Sequence, residues 1–561
     1  VSPADLRPRG ADLLARALAA GGVRRLFSLS GNQIMPVYDA ALDTGLELLH
    51  VRHEAAAVHM ADAWARITGE VGVALLTAGQ GHTNGVAALP TALAAEAPVV
   101  LLSGAAPLAQ AGRGAFQEMD QAAIAAPLCK ASWTAASAAD LGADVARALR
   151  IAAGGRPGPV HLSLPFDLLE ARVAADPGVP EAAAYAPPVT PLDDAAARAL
   201  LEALAGARRP LIVTGPAQAS ARGRARAARL AGALGAPVVC MESPRGVGDP
   251  ALGAFADRLG EADLVVLLGK RPDYTLRFGA AFATDARIAL VDPEPAGIER
   301  AFASLGAARA RVTIATVADT VAAIDALIAA AGASGRAPAA SGWRGEVEAA
   351  IAYRPAAWRE ASGADGAVHP AALGRAVQQL LDAARDAVLV CDGGEFGQWA
   401  QACVRAPERV INGVAGSIGA AIPFALAARA ARPGATVVAM LGDGAFGFHM
   451  AELDTALRAG LPVVVVVGND ACWNAEYQIQ LRTYGRERAQ GCTLLAQRYD
   501  LVAAALGAHG ERVTRAAELP AALARAAASG RPACVDVTIE GLPAPVVSRA
   551  TGGDGAHGAR S

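Results

Sequence analysis

The chain is poor in the features that announce several large protein classes. Aromatic residues make up 4% of its 561 residues, and the net charge is only −3. A near-neutral balance gives no electrostatic footprint for nucleic acid or an anionic membrane surface, so neither is expected as a partner. The seven cysteines are odd in number and lack paired spacing. That pattern argues against a disulfide framework or a structural zinc and for a reducing, cytoplasmic setting. The start, Val1-Ser2-Pro3-Ala4-Asp5, carries no basic residue followed by an apolar core, so no signal peptide is visible. No apolar run reaches the length of a membrane span. Between residues 190 and 332 no Gly-x-Gly-x-x-Gly follows a strand pattern, which withholds support from nicotinamide binding there.

What is abundant is apolar: 53% of the residues are hydrophobic, against 18% charged. That composition and length suit three or four domains with large cores and large subunit contacts. The dominant pattern alternates short β-branched runs with helical spacing. The clearest case is Thr436-Val437-Val438-Ala439-Met440-Leu441, then apolar residues at Phe446, Met450, Leu453 and Leu457, then Val463 to Val467. Two buried parallel strands flanking a helix are expected. Gly442-Asp443-Gly444 and Asn469-Asp470 then fall just past the carboxyl ends of those strands, the edge at which open α/β sheets bind ligands. Gly442 and Gly444 permit a sharp turn and close approach. The next helix start offers free N–H groups to an anion. Two carboxylates beside such a helix start are the ingredients of a hard divalent cation bridging a diphosphate.

Gly-Asp-Gly, 24 residues and then Asn-Asp resembles the cofactor motif of the thiamine-diphosphate-dependent acetolactate synthase, decarboxylase and lyase superfamily. The resemblance implies an α/β chain of three doubly wound parallel-sheet domains. These are a pyrimidine-binding module at 1–175, a central Rossmann-like layer of six strands at 190–332, and a diphosphate- and Mg2+-binding module at 366–545. A flexible tail at 546–561 follows. Pro-rich sequence from Ala174 to Val189 reads as the first connector. Asp443, Asp470 and the carbonyl of Cys472 would hold Mg2+. Asp470 stands where the family usually has Asn, which keeps an oxygen donor and adds charge. Gly416, Gly442, Gly444 and Ala445 would line the cofactor, and Ile418 would prop it into its bent form.

The resemblance extends to Arg52-His53-Glu54, where Glu54 would hydrogen-bond the aminopyrimidine ring and drive proton relay to the reactive carbon. Gln117 and Gln33 would bind substrate, Gln33 lying where benzaldehyde-lyase-like relatives carry a catalytic His. Asn32 and Trp473 would wall the substrate pocket, and Glu476 would carry a proton. The central layer would hold FAD, ADP or no nucleotide, with Lys270, Arg271 and Arg277 as the cations nearest such a ligand. Sites of this family lie between the pyrimidine module of one subunit and the diphosphate module of another, so a homodimer or homotetramer is implied. The expected activity is carbon–carbon lyase or carboligase chemistry on 2-hydroxyacyl compounds, including acyl-CoA, or 2-oxo compounds, through a C2-ylide and an enamine. Gly468-Asn469-Asp470-Ala471, Arg113-Gly114-Ala115 and Pro127-Leu128-Cys129-Lys130 are most similar to the 2-hydroxyacyl-CoA lyase branch and, less so, to benzaldehyde lyase. Acetolactate synthase with FAD and 2-oxoacid decarboxylase are the alternatives. An idle cofactor-binding subunit is disfavoured by the presence of Glu54.

Overall fold

The computed structural model describes residues 7–333, 342–364 and 366–548. The Val1–Asp5 start and the tail from Ala550 onward lie outside the described residues. Three parallel sheets, each flanked by helices, make up the chain. The first runs, edge to edge, Glu47–His50, Arg25–Ser28, Gly72–Leu76, Val99–Ala105, Val160–Pro165 and Ala131–Thr134. The third runs Glu408–Ile411, Ala387–Cys391, Thr436–Gly442, Val464–Asn469, Ala533–Thr538 and His509–Val513. Numbered from the first strand of each, both sheets have the order 2-1-3-4-6-5. One winding scheme is therefore used twice. In both sheets the chain reverses direction across the sheet between strands 1 and 3, and an open crevice forms outside their carboxyl ends.

The central sheet has five strands among the described residues, not six: Val312–Val317, Arg287–Asp292, Leu264–Leu268, Pro210–Thr214 and Val238–Cys240. It ends at the three-residue strand Val238–Cys240, and the apolar stretches beyond it are used as helices that cover the sheet. The segment between the two strands of the Gly-Asp-Gly region is also interrupted. It forms two helices, Asp443–His449 and Glu452–Arg458, rather than one. The buried Glu452 carboxylate reaches the first domain, where it accepts from the backbone N–H groups of Arg52 and His53, and it also accepts from the hydroxyl of Thr455 in its own helix.

The first and third sheets share one hydrophobic core. Helix Glu54–Thr68 packs its Ala-rich face on helix Ala421–Ala431, and small side chains let the two approach closely. Arg66 locks this contact by pairing with buried Asp62 and donating to the carbonyl of Ile411. The central sheet is tied to the first by Arg156, 4% exposed, whose guanidinium pairs with Glu96 and Asp292 and donates to the Gly269 carbonyl. No helix among the described residues is long and apolar enough to cross a membrane.

Candidate functional site

Strands Ala387–Cys391 and Thr436–Gly442 are hydrogen-bonded neighbours on either side of the reversal point of the third sheet. A cavity of about 290 Å3 opens at their carboxyl ends. Ten of the residues marked out by the sequence line it: Gly416, Ile418, Gly442, Asp443, Gly444, Ala445, Asp470, Cys472, Trp473 and Glu476. The starts of helices Gly394–Cys403, Asp443–His449 and Asn474–Tyr484 converge on the same space. A helix start is the positive end of the backbone dipole, which makes the space receptive to an anion.

Asp443 is 2% exposed, and its Oδ2 has no hydrogen-bond partner. An orphaned buried carboxylate oxygen is costly unless something positive meets it. Burial pushes the Asp443 carboxyl up to about 6, while backbone N–H groups partly offset the shift. Asp470 is pushed up to about 7, first by burial and then by the charge of Asp443. The two acids therefore form a close, desolvated pair that a hard cation would relieve, and the donor set fits Mg2+. No three His, Cys, Asp or Glu side chains gather into a metal cage among the described residues. A cation here would complete its shell from backbone carbonyls, phosphate oxygens or water, and the carbonyl of Cys472 lies on the same loop.

That loop is held under strain. Ala471 has φ 53°, a left-handed conformation that a residue with a Cβ adopts at a cost. Cys472 pairs across a short bridge with Thr493, the Trp473 N–H donates to the Cys492 carbonyl at 2.7 Å, and the Leu494 N–H donates to the Ala471 carbonyl at 2.7 Å. Asn474 anchors the far side by donating to the Leu542 carbonyl. The Trp473 indole packs against Gly444, where a Cβ would stand 2.4 Å from the nearest ring carbon. Opposite, the half-buried Ile418 packs against the shared core.

Asp392 was visible in the sequence only as part of an Asp-Gly-Gly turn, yet it organises this wall. Fully buried, it accepts hydrogen bonds from the backbone N–H groups of Gly393, Gly419 and Ala421. Burial raises its pKa to about 6, against the pull of those three donors. It thereby fixes the 416–421 turn that carries Ile418. Arg245 and Glu395, which pair at 2.8 Å on the cavity wall, were not singled out by the sequence. The signal available was the position of Glu395, three residues past that same Asp392.

Glu54, Gln33 and Gln117 lie elsewhere in the chain. They cluster at the matching reversal point of the first sheet, and no residue of that sheet or its helices lines the Asp443 cavity. Thr77 Oγ1 donates to Gln33 Oε1 at 2.7 Å, Gln33 Nε2 donates to Gln117 Oε1 at 3.0 Å, and Gln117 Nε2 reaches Gln80 Oε1 at 3.4 Å. Glu54 opens its helix half-buried and accepts from Asn84 Nδ2 at 3.1 Å. Gln117 has φ 59°, a second strained backbone at a predicted site position. Asn32 is exposed on the turn beside Gln33 and does not meet Trp473 within the chain. The fold thus places the two groups of sequence-predicted residues at equivalent positions on two sheets of the same strand order.

A second cavity, of about 580 Å3, lies between the first and central sheets. Lys270, Arg271 and Arg277 do not line it; its cations include Arg156, Arg222 and Arg226. Lys270 is buried and spent on Asp273, Thr275 and the Arg271 carbonyl.

Comparison with known proteins agrees with this geometry. Three family models match: the N-terminal TPP binding domain of thiamine pyrophosphate enzymes over residues 8–124, their central domain over 197–327, and their C-terminal TPP binding domain over 392–537. The chain is 34% identical over 541 residues to a probable acetolactate synthase of Mycobacterium bovis, covering 94% of each. It is 31% identical over 559 residues to the acetolactate synthase large subunit of Parasynechococcus marenigrum, covering 94% of this chain and 87% of that one. It is 33% identical over 548 residues to the 2-hydroxyacyl-CoA lyase 2 of Bos taurus, covering 90% of this chain and 85% of the relative.

Proposed function

The chain belongs to the thiamine pyrophosphate enzyme family, and from that premise we propose that it is a carbon–carbon bond lyase or carboligase for 2-hydroxyacyl or 2-oxo compounds. The observation that carries the reading is the unpartnered Oδ2 of buried Asp443 beside Asp470, at a cavity where three helices begin. In this reading the modules span 1–175, 190–332 and 366–545. Asp443, Asp470 and the Cys472 carbonyl would hold Mg2+, and Gly444 and Ala445 would line the diphosphate. Ile418 supports the middle of the cofactor. Thiamine diphosphate, when bound, supplies the electron sink for making or breaking the bond next to a carbonyl.

The remaining roles fall to the first-domain cluster, contributed by a second copy of the chain. Support comes from the separation of the two groups of residues and from the cavity volume of about 290 Å3, at the small end for ligand sites. A homodimer is the least unit with complete sites, and a homotetramer doubles it. Glu54, steadied by Asn84, would hydrogen-bond the aminopyrimidine ring of the cofactor and hold or pass a proton at its own carboxyl group. Gln33 and Gln117 already bond each other, so a substrate carbonyl or hydroxyl meets a preorganised pair. Trp473 and Asn32 close the pocket against water, and the exposed Glu476 at its rim exchanges protons with solvent.

Lyase chemistry on 2-hydroxyacyl-CoA is favoured by Leu29-Ser30-Gly31-Asn32 and by the run through Trp473, which differ from the acetolactate synthase pattern. The 34% identity to a probable acetolactate synthase favours pyruvate condensation as the second reading. The 580 Å3 cavity is where FAD or ADP would sit. Incubating the protein with thiamine diphosphate and MgCl2, and following pyruvate, benzoin-type ketones and 2-hydroxyacyl-CoA by mass spectrometry, separates the two. Acyl-CoA cleavage to an aldehyde and a one-carbon thioester fits the first reading. Rapid acetolactate formation by a yellow, flavin-bearing protein overturns it.

A further inference from the structure

Four carboxylates line the Asp443 cavity: Asp443, Asp470, Glu395 and Glu476. In the reading above, a divalent cation would take up two of them. Glu395 is a different problem. It is the second residue of helix Gly394–Cys403, whose starting residues line the cavity. A carboxylate there competes with any anionic ligand for the same positive end. It is also only 8% exposed, so water screens it poorly.

One cation among the described residues lines this cavity, and it comes from the central domain. Arg245 Nη2 lies 2.8 Å from Glu395 Oε2. Its backbone is built to keep it there. The Arg245 N–H donates to Ser243 Oγ, and Pro244 packs against Gly416, within 3.5 Å of where its Cβ would be. Gly246 turns at φ 55° so tightly against Thr275 that a Cβ would fall 2.2 Å from the Thr275 carbonyl oxygen. The arm is therefore positioned by three backbone constraints and not by its ion pair alone.

We propose that Arg245 is a cofactor-positioning residue: it cancels the Glu395 charge and draws that carboxylate aside, so that the helix start at Gly394 is left to a diphosphate. The inference rests on the thiamine diphosphate reading above. It gives the central domain a direct part in cofactor retention, independent of any nucleotide held there.

The test is isothermal titration of the cofactor-free protein with thiamine diphosphate in MgCl2, and with inorganic pyrophosphate, comparing wild type, Arg245→Met, Glu395→Gln and the double variant. Arg245→Met keeps the stem and removes the charge, and should raise Kd about tenfold or more for both ligands, since it leaves a buried carboxylate unpaired beside an anion. Glu395→Gln also breaks the pair, but it should bind at least as tightly as wild type. The double variant should return to within about threefold of wild type. Unchanged binding in Arg245→Met overturns the proposal. So does a double variant as weak as Arg245→Met, which would make the guanidinium a direct phosphate ligand. Equal weakening by Glu395→Gln overturns it too, since that would mark the pair as a mere brace. Failure of the wild type to bind thiamine diphosphate would instead sink the function proposed above.

Discussion

Gly444→Ala sets two well-understood effects against each other. Gly444 lies within helix Asp443–His449, and in an open helix an added methyl stabilises by about 0.5–1 kcal/mol. Here the methyl carbon would stand 2.4, 2.6 and 2.8 Å from three ring carbons of Trp473. Carbon contacts settle near 3.5–4.0 Å, so the indole must retreat by about 1 Å. It has no flexible arm on which to do so. Its backbone is tied to Cys492 and its ring abuts Phe448, with centroids 6.3 Å apart. The retreat drags Cys472, and the strained Ala471 leaves little slack. Overpacking of this kind costs about 1–3 kcal/mol, enough to reverse the helix gain. Because cofactor binding needs the loop in its unretreated place, the same loss of about 1–3 kcal/mol falls on binding, roughly 5- to 150-fold in affinity. Thermal melting of the cofactor-free variant and titration with thiamine diphosphate and MgCl2 read both quantities. Trp473→Leu on the Gly444→Ala background should recover most of the affinity. A variant that melts higher than wild type and binds equally well would show that the loop is not held as described.

Glu54→Gln should bind thiamine diphosphate within about threefold of wild type while turnover falls about 100-fold or more, the usual scale for losing a proton-transfer group; full activity would remove Glu54 from its role. Arg156→Leu strips the shared partner from the buried Glu96 and Asp292 carboxylates and should cost about 3–5 kcal/mol, read from the urea midpoint. A loss below about 1 kcal/mol would mean the pair is hydrated. Burial holds His59 at about 3, and His82 and His449 at about 4, well below their ordinary 6.5. The unfolded chain takes up those protons first, so their contribution to stability is intact above about pH 6.5 and is lost as pH falls toward 4. His59→Leu, which removes a ring facing His449, His53 and Arg66, should narrow the difference in melting temperature between pH 7.5 and 5. An unchanged difference would place the acid sensitivity elsewhere.

The alternation of apolar runs made the parallel sheets legible, because a buried strand advertises itself by local β-branching. Gly-Asp-Gly and Asn-Asp were legible because turn chemistry and charge fall at a fixed spacing. The six-stranded central layer was not, since strand count depends on which apolar stretches the sheet leaves to helices. Lys270 illustrates a second limit: a lysine that reads as a free cation is consumed three and five residues away by Asp273 and Thr275. Arg245 illustrates a third, for its partner Glu395 lies 150 residues further on and only the packing of two domains joins them. The near-identity of the first and third sheets was also hidden, because strand order is set by crossovers that leave no local signature.

A crystal structure of the protein grown with thiamine diphosphate and MgCl2 tests the whole scheme at once. The account predicts an octahedral ion on Asp443, Asp470 and the Cys472 carbonyl of one chain, with the aminopyrimidine hydrogen-bonded to Glu54 of a second chain. A cofactor contacting Glu54 and Asp443 of the same chain, or an ion that avoids Asp443, would contradict it.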